Sequence, residues 1–250
     1  MPLDAPARPL RMIDPELRLP PPFTLVRLRE LGDAFAHAQT IAAEAGAGTL
    51  VHVGRFDLAE FALVLEPEEP LATARRAFIA GMTALADALA AHAQPETLIE
   101  IHWPGALTVN LGLVGGGRLA WPDGAREDAV PDWLVFGGMI RTESQGQEPG
   151  LTPNSTALAE EGFGETSAAD VVESFARNMM MHIDAWQEKG FGAVAKSYLE
   201  RLSGEGLHSL ADNGDLTVRR PRVTQNERHA LSAALARADW YDPATKGPRA

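Results

Sequence analysis

The chain has no cysteine and almost no lysine. Without cysteine there can be no disulfide, no thiolate metal site and no cysteine nucleophile, and a chain of this kind is expected in the cytoplasm. Lysine occurs only at Lys189, Lys196 and Lys246, so residues 1–188 hold their permanent positive charge on arginine alone. The formal net charge is −12, and the longest basic run is VRRPR at 218–222. Nucleic acid is therefore not an expected partner, because a phosphate-backbone binder presents a basic face. No apolar run is long enough to cross a bilayer, so no membrane partner is expected. The Pro- and Arg-rich start, MPLDAPARPLRMIDPELRLPPP, lacks the apolar stretch of a secretory signal. Histidines stand at 37, 52, 92, 102, 182, 208 and 229 with no close pair, and no metal site is expected from them.

What is present suits one sizeable domain with an appendage. The chain has 250 residues, 45% of them hydrophobic, enough to bury a substantial core. Residues 1–22 read as an extended lead-in, since LPPPF is incompatible with helix. A strand is predicted at 23–31 and a helix at 33–46, with Asp33 as N-cap and Gly46 or Gly48 at its end. Strands follow at 48–55 and 60–68. The clearest helix covers 70–93, where Leu71, Phe78, Met82, Leu85 and Leu89 recur at helical spacing and Gly81 permits close packing. Four strand-like pieces then crowd into about 45 residues: LIEIHWP, ALTVNLG, LVGGGRLAWP and DWLVFGGMIRTE. Their short links imply antiparallel pairing. After a polar loop at 144–155, helices are predicted at 167–189, capped by Ser167, and at 191–202, with Gly190 between them. Near the end, LADNGDLTVRR carries an Asn-Gly hairpin signal. Thr224 and Glu227 have capping-box spacing before a helix at about 225–238. Strands in a run with helices segregated around them make an α+β domain. Its sheet is expected to be mixed or mostly antiparallel, occupying 23–203, with a small separate module, hairpin plus helix, at 204–250.

The stretch EIHWPGALTVNLGLVGGGRLAWP (100–122), in this order of elements, resembles the catalytic domain of biotin/lipoate protein ligases. The family commonly reads Lys-Trp-Pro-Asn-Asp-Leu and then Lys-x-x-Gly-Ile-Leu. Here the ungapped register gives His102-Trp103-Pro104-Gly105-Ala106-Leu107, and then Leu113-Val114-Gly115-Gly116. ELGDAFAHA, DWLVFGG and TALAEEGF stand in order at other family positions, so the resemblance runs over roughly residues 22–202. It implies a fold of the class II aminoacyl-tRNA synthetase/biotin ligase kind. The implied cofactors are ATP with biotin or lipoate, and the implied partner is a carrier-protein domain whose lysine is acylated. The class is also compatible with a homodimer. The lead-in is too short for a DNA-binding winged helix, so a repressor role is not expected.

The implied chemistry, attack of a carboxylate on an ATP phosphate, needs a cation and aligned backbone N–H groups at the developing charge. On the register above, the family's catalytic lysine falls at Leu113, the lysine before Trp-Pro at His102, and the Asn-Asp pair at Gly105 and Ala106. Its glycine- and arginine-rich loop is reduced to Val53-Gly54-Arg55-Phe56. Leu113 and Arg118 are an odd number of residues apart, so on a regular strand they face opposite ways and Arg118 cannot replace the lysine. No residue is assigned a catalytic role. The candidate ligand-binding set is Arg55, His102, Trp103, Pro104, Asn110, Leu113, Gly115, Gly116 and Arg118.

Each member of the set also has a plainer role. His102 is a ligand contact or a hydrogen-bonded strand histidine. Arg55 is an anion anchor or a solvated loop arginine. Gly115–Gly117 admit a ligand or mark a bulge. Trp103, Trp121 and Trp133 read as core, His182 as a packing residue, and DNGD at 212–215 as a turn rather than a calcium loop. Three functions follow. The first is a degenerate relative that binds a small carboxylate or nucleotide with little or no ligation. The second is a working ligase that uses Arg55, His102 and Arg118. The third is an interaction module whose pocket is closed by side chains such as Leu113 and Trp121.

Overall fold

The computed structural model describes residues 17–144, 154–221, 223 and 225–249. Thr224, and most of the loop expected at 144–155, lie outside the described residues. β1 (Thr24–Leu28), α1 (Ala34–Ala45) and β2 (Thr49–Val53) make a crossover whose strands pair in parallel. β3 (Leu58–Leu65) returns antiparallel to β2. Next come α2 (Leu71–Ala74), α3 (Ala77–Ala90), and the strands β4 (Ile99–His102), β5 (Ala106–Val109), β6 (Gly112–Ala120) and β7 (Leu134–Arg141). The sheet has the order β1-β2-β3-β7-β6-β5-β4, antiparallel from β2 onward. This is the mixed, mostly antiparallel sheet expected of the α+β class.

Local chemistry sets the helix ends. The Asp33 carboxylate accepts the Ala36 N–H at 2.9 Å at the start of α1. Ser167 and Asp170 form a reciprocal capping box before α4 (Ala168–Lys189), which satisfies donors that the first turn leaves unpaired. Gly190, at φ 78°, separates α4 from α5 (Phe191–Arg201).

The two faces of the sheet have different covers. Side chains alternate along β3: Phe61 and Leu63 enter the core shared with α3, α4 and α5, while Ala62 and Val64 meet α1. On the first face Phe136 stacks on Phe175 at 5.5 Å between ring centroids, and Phe61 lies 4.4 Å from Phe175. Gly81 is required there, because a Cβ would stand 2.5 Å from the Phe136 ring. On the second face Ala34, Ala38 and Ala42 of α1 cover Val51, Val53, Ala62, Val64 and Val135. α1 covers only part of that face.

Two expected helices change. The helix expected at 70–93 is broken at Arg75 and Arg76. There the Phe78 and Ile79 N–H groups bond three residues back and tighten the turn. The two arginines leave in different directions, Arg75 to Glu127 and Arg76 to Glu69 and the rings of Trp186 and Phe191. The helix expected at 225–238 is instead β10 (Glu227–His229) followed by α6 (Leu231–Leu235). Asp215 is the cause: its carboxylate takes the Leu231 N–H and the Arg228 guanidinium, fixing the helix start at Leu231. β8 (Leu207–Leu210) and β9 (Leu216–Arg219) form the hairpin over Asn213-Gly214, and β10 joins them as a third strand. The C-terminal segment is not wholly separate, however. Residues 238–249, including β11 (Tyr241–Asp242) and β12 (Gly247–Pro248), run back onto the main sheet.

Candidate functional site

The uncovered part of the α1-side face is where most of the candidate residues gather. β3 contributes Leu58 and Glu60, β7 contributes Met139, β6 contributes Gly116 and Arg118, and β5 contributes Ala106 and Thr108. The expectation that Leu113 and Arg118 face opposite ways is overturned here. Leu107 pairs with Gly115 but Thr108 pairs with Leu113, so Val114 is an extra, bulged residue. One inserted residue restores the parity. Leu113 packs beside Leu58, Met139 and Trp240, and Arg118 lies on the same side. Gly115 makes the bulge possible: its φ is 154°, and a Cβ there would stand 1.9 Å from the Met139 carbonyl oxygen.

Leu58, Met139 and Trp240 are each no more than 5% exposed and form a small hydrophobic cluster of their own. The indole of Trp240 lies on Gly116, and its N–H donates to the Gly117 carbonyl at 3.2 Å. Any side chain at position 116 would collide with the ring, since its Cβ would fall 2.7 Å from an indole carbon. Tyr241 and Phe35 hold the Arg118 guanidinium between their rings, 4.1 and 4.4 Å from the centroids.

Charged groups ring this cluster. Arg55, from the β2–β3 loop, makes a bidentate bond to Asp57 at 2.6 and 3.0 Å, and that bond raises its pKa despite burial. Arg141 donates to the Pro248 and Arg249 carbonyls. Burial lowers its pKa, with Glu160 opposing. Glu60 accepts the Ala34 N–H at the start of α1 at 3.0 Å. Burial raises the Glu60 pKa; Asp33 adds to the rise, while the Ala34 N–H, Arg55 and Arg118 oppose it. Lys246 lines the clefts on this face together with Arg55, Arg141, Glu60 and Asp242. A lysine therefore reaches the face although residues 1–188 contain none. Sequence distance does not predict it, because the chain's end carries the lysine back. Among the described residues no group of three or more acidic or histidine side chains is placed to hold a metal ion.

The other candidates are placed as follows. His102 is exposed at the end of β4, with Nε2 3.1 Å from Thr108 Oγ1 on the same face. Trp103 packs edge-on to Tyr198 with centroids 6.3 Å apart, and the Pro104 carbonyl accepts the Tyr198 hydroxyl at 2.7 Å. Both border a narrow cleft beside Trp240. Asn110 does not join the site. It sits at the tip of the β5–β6 hairpin at φ 47°, a turn conformation that asparagine tolerates, and its side chain bonds Glu161 and the Leu98 N–H. Trp121 is also elsewhere, under the Arg75 guanidinium. Phe35, Glu60, Met139, Arg141, Trp240, Tyr241 and Lys246 lie outside the expected set. For Trp240 and Tyr241 the available signal is an adjacent pair of scarce aromatics, one of five tryptophans beside one of two tyrosines.

Residues 19–200 match the biotin/lipoate A/B protein ligase family. A biotin protein ligase-like protein of unknown function from Silicibacter sp. TM1040 superimposes with a TM-score of 0.77 at 28% identity, over 89% of this chain and 100% of that one. The biotin protein ligase of Aquifex aeolicus, as a point mutant in complex with biotin, superimposes with a TM-score of 0.65 at 13% identity, over 84% of this chain and 96% of that one. The ligase of the same organism in complex with biotin and ATP gives 0.59 at 15% identity, over 82% and 98%. No curated protein matches the chain.

Proposed function

The chain belongs to the biotin/lipoate A/B protein ligase family, and from that premise we propose that it binds a small carboxylate or a nucleotide on the α1-side face without ligating it. The observation that carries this is Leu113. It occupies the position that the sequence register gives to the family's lysine, and its hydrocarbon packs beside Trp240. A hydrocarbon cannot neutralise charge that develops on phosphate or carboxylate oxygens. Losing one such contact typically costs on the order of 10²–10³ in rate. The arginines that reach the face are already engaged: Arg55 by Asp57, Arg141 by three carbonyls and Arg118 by two rings. Glu60 adds a buried carboxyl at the helix start that would otherwise favour an anion. What favours retained binding is the set of arginine-lined clefts that remain beside the cluster.

Calorimetry with biotin, lipoate and ATP tests the proposal. Saturable binding of at least one is expected. Silence with all three would leave the face as a closed, purely structural surface. A second reading is favoured by the bulge, which turns Arg118 to the same side as Leu113. In that reading the protein is a working ligase with Arg118 as the cation, ATP as cosubstrate and a carrier domain as acceptor. Arg118→Met would then abolish any acid-dependent ATP–pyrophosphate exchange.

A further inference from the structure

We propose that residues 238–249 form a displaceable strap, with the Trp240 indole as the built-in occupant of a ring-binding niche on the sheet. The inference deepens the reading of this face as a ligand surface and rests on it: the strap and an incoming ligand would compete for the same floor. Four features separate this segment from ordinary core. Its buried residues are Trp240, in the small cluster with Leu58 and Met139 that stands apart from the cores on either side of the sheet, and Pro248. The niche is shaped to a flat ring with an N–H donor, since Gly116 leaves room for the indole and Gly117 offers the carbonyl acceptor. The remaining attachments are polar or ring contacts at the strap's two legs. Tyr241 covers Arg118, Arg141 bonds the Pro248 and Arg249 carbonyls, and the strap closes on itself through the two-residue pairing of β11 with β12. Finally, the strap does not fill the face. Clefts remain on both of its sides, one between Trp103, Pro104, Arg118 and Trp240 and others between Arg55, Arg141, Tyr241 and Lys246. A segment held by few buried contacts opens at lower cost than the sheet beneath it. Lifting it would uncover Gly116 and free Arg118 of Tyr241 and Arg141 of the Pro248 and Arg249 carbonyls, leaving Arg118 on Phe35 and Arg141 on the Thr156 carbonyl. The same motion would carry Lys246 away from the face.

The natural chain has no cysteine, so a single introduced thiol reports one position without background. Met139→Cys in the full-length chain places that thiol beneath the indole, at a site 3% exposed in the native residue. Its reaction with dithionitrobenzoate is expected to run faster than global unfolding and to depend little on low denaturant. Adding Arg141→Met removes the bonds to Pro248 and Arg249 and is expected to speed labelling by roughly tenfold, with the unfolding midpoint nearly unchanged. Leu58→Cys, under the same cluster, is the second reporter should the first variant fail to fold. Labelling that proceeds only at the rate of global unfolding, with or without Arg141→Met, would overturn the strap. Calorimetry on the natural chain separates the two claims. Fast labelling without ligand binding upholds the strap and removes the ligand reading. Ligand binding with labelling only on global unfolding does the reverse.

Discussion

The two faces of the central sheet are built from the same strands and do different work. On the helix side, Phe61, Phe78, Phe136, Phe175 and Tyr198 are buried to within 2% exposure among α3, α4 and α5. The charged groups packed around that core are paired: Asp87 accepts from His182 at 2.8 Å and from Arg201 at 2.6 Å, tying the three helices together. On the α1 side, α1 covers one half with small residues. The other half holds arginines, a buried glutamate and a folded-back chain end. Close packing punishes change on the first face. On the second, the half that α1 leaves uncovered is held by ring, charge and backbone contacts around one small apolar cluster. A chain only 13–15% identical to the Aquifex ligase shares that fold.

Paired truncations sharpen the contrast most. Phe136→Ala is expected to cost about 3–5 kcal/mol. Trp240→Ala should cost only about 1–2 kcal/mol, because the strap can relax and admit water. Chemical denaturation of both variants checks this, and equal losses would make the strap part of the core. Next in size, Tyr198→Phe removes the bond to the Pro104 carbonyl and leaves a buried acceptor, for about 1–2 kcal/mol.

Two smaller effects depend on pH and have opposite signs. Burial pushes the Asp87 pKa up, but hydrogen bonds from His182 and Arg201 outweigh it and hold the pKa below the ordinary value. Its stabilising contribution is therefore present above the ordinary aspartate range and is lost as pH falls through the folded value. Asp87→Asn should lower the melting midpoint at neutral pH, and the gap to the natural chain should close in acid. Glu60 is the reverse case, its pKa raised chiefly by burial. Its contribution is present below the ordinary glutamate range and is lost as pH rises through the raised value. Glu60→Gln should thus melt higher than the natural chain at neutral pH and equally in acid. It should also bind an anionic ligand of this face roughly three- to tenfold more tightly, by removing a like charge.

The fold is legible in the sequence where local chemistry decides it. Asp33, Ser167 and Gly190 mark helix ends, and four apolar runs with short links mark the antiparallel strands. The site is legible only in part. Leu113, Gly116 and Arg118 lie on the face, but the bulge that aligns them sits next to three successive glycines, where no side-chain alternation reveals the register. Asn110 reads as a ligand residue and is a turn residue, because its turn conformation and bonds to Leu98 and Glu161 are set by the hairpin. Trp240, Tyr241 and Lys246 come from more than 100 residues away, and only tertiary folding brings them to the strands.

The most direct test is ATP–pyrophosphate exchange by the purified full-length protein in the presence of biotin, lipoate or another short-chain acid. With leucine at position 113 the exchange should stay at the level without acid for every one of them. Acid-dependent exchange that disappears in Arg118→Met would mean that an arginine has taken over the missing ammonium's task and that the protein is a ligase after all.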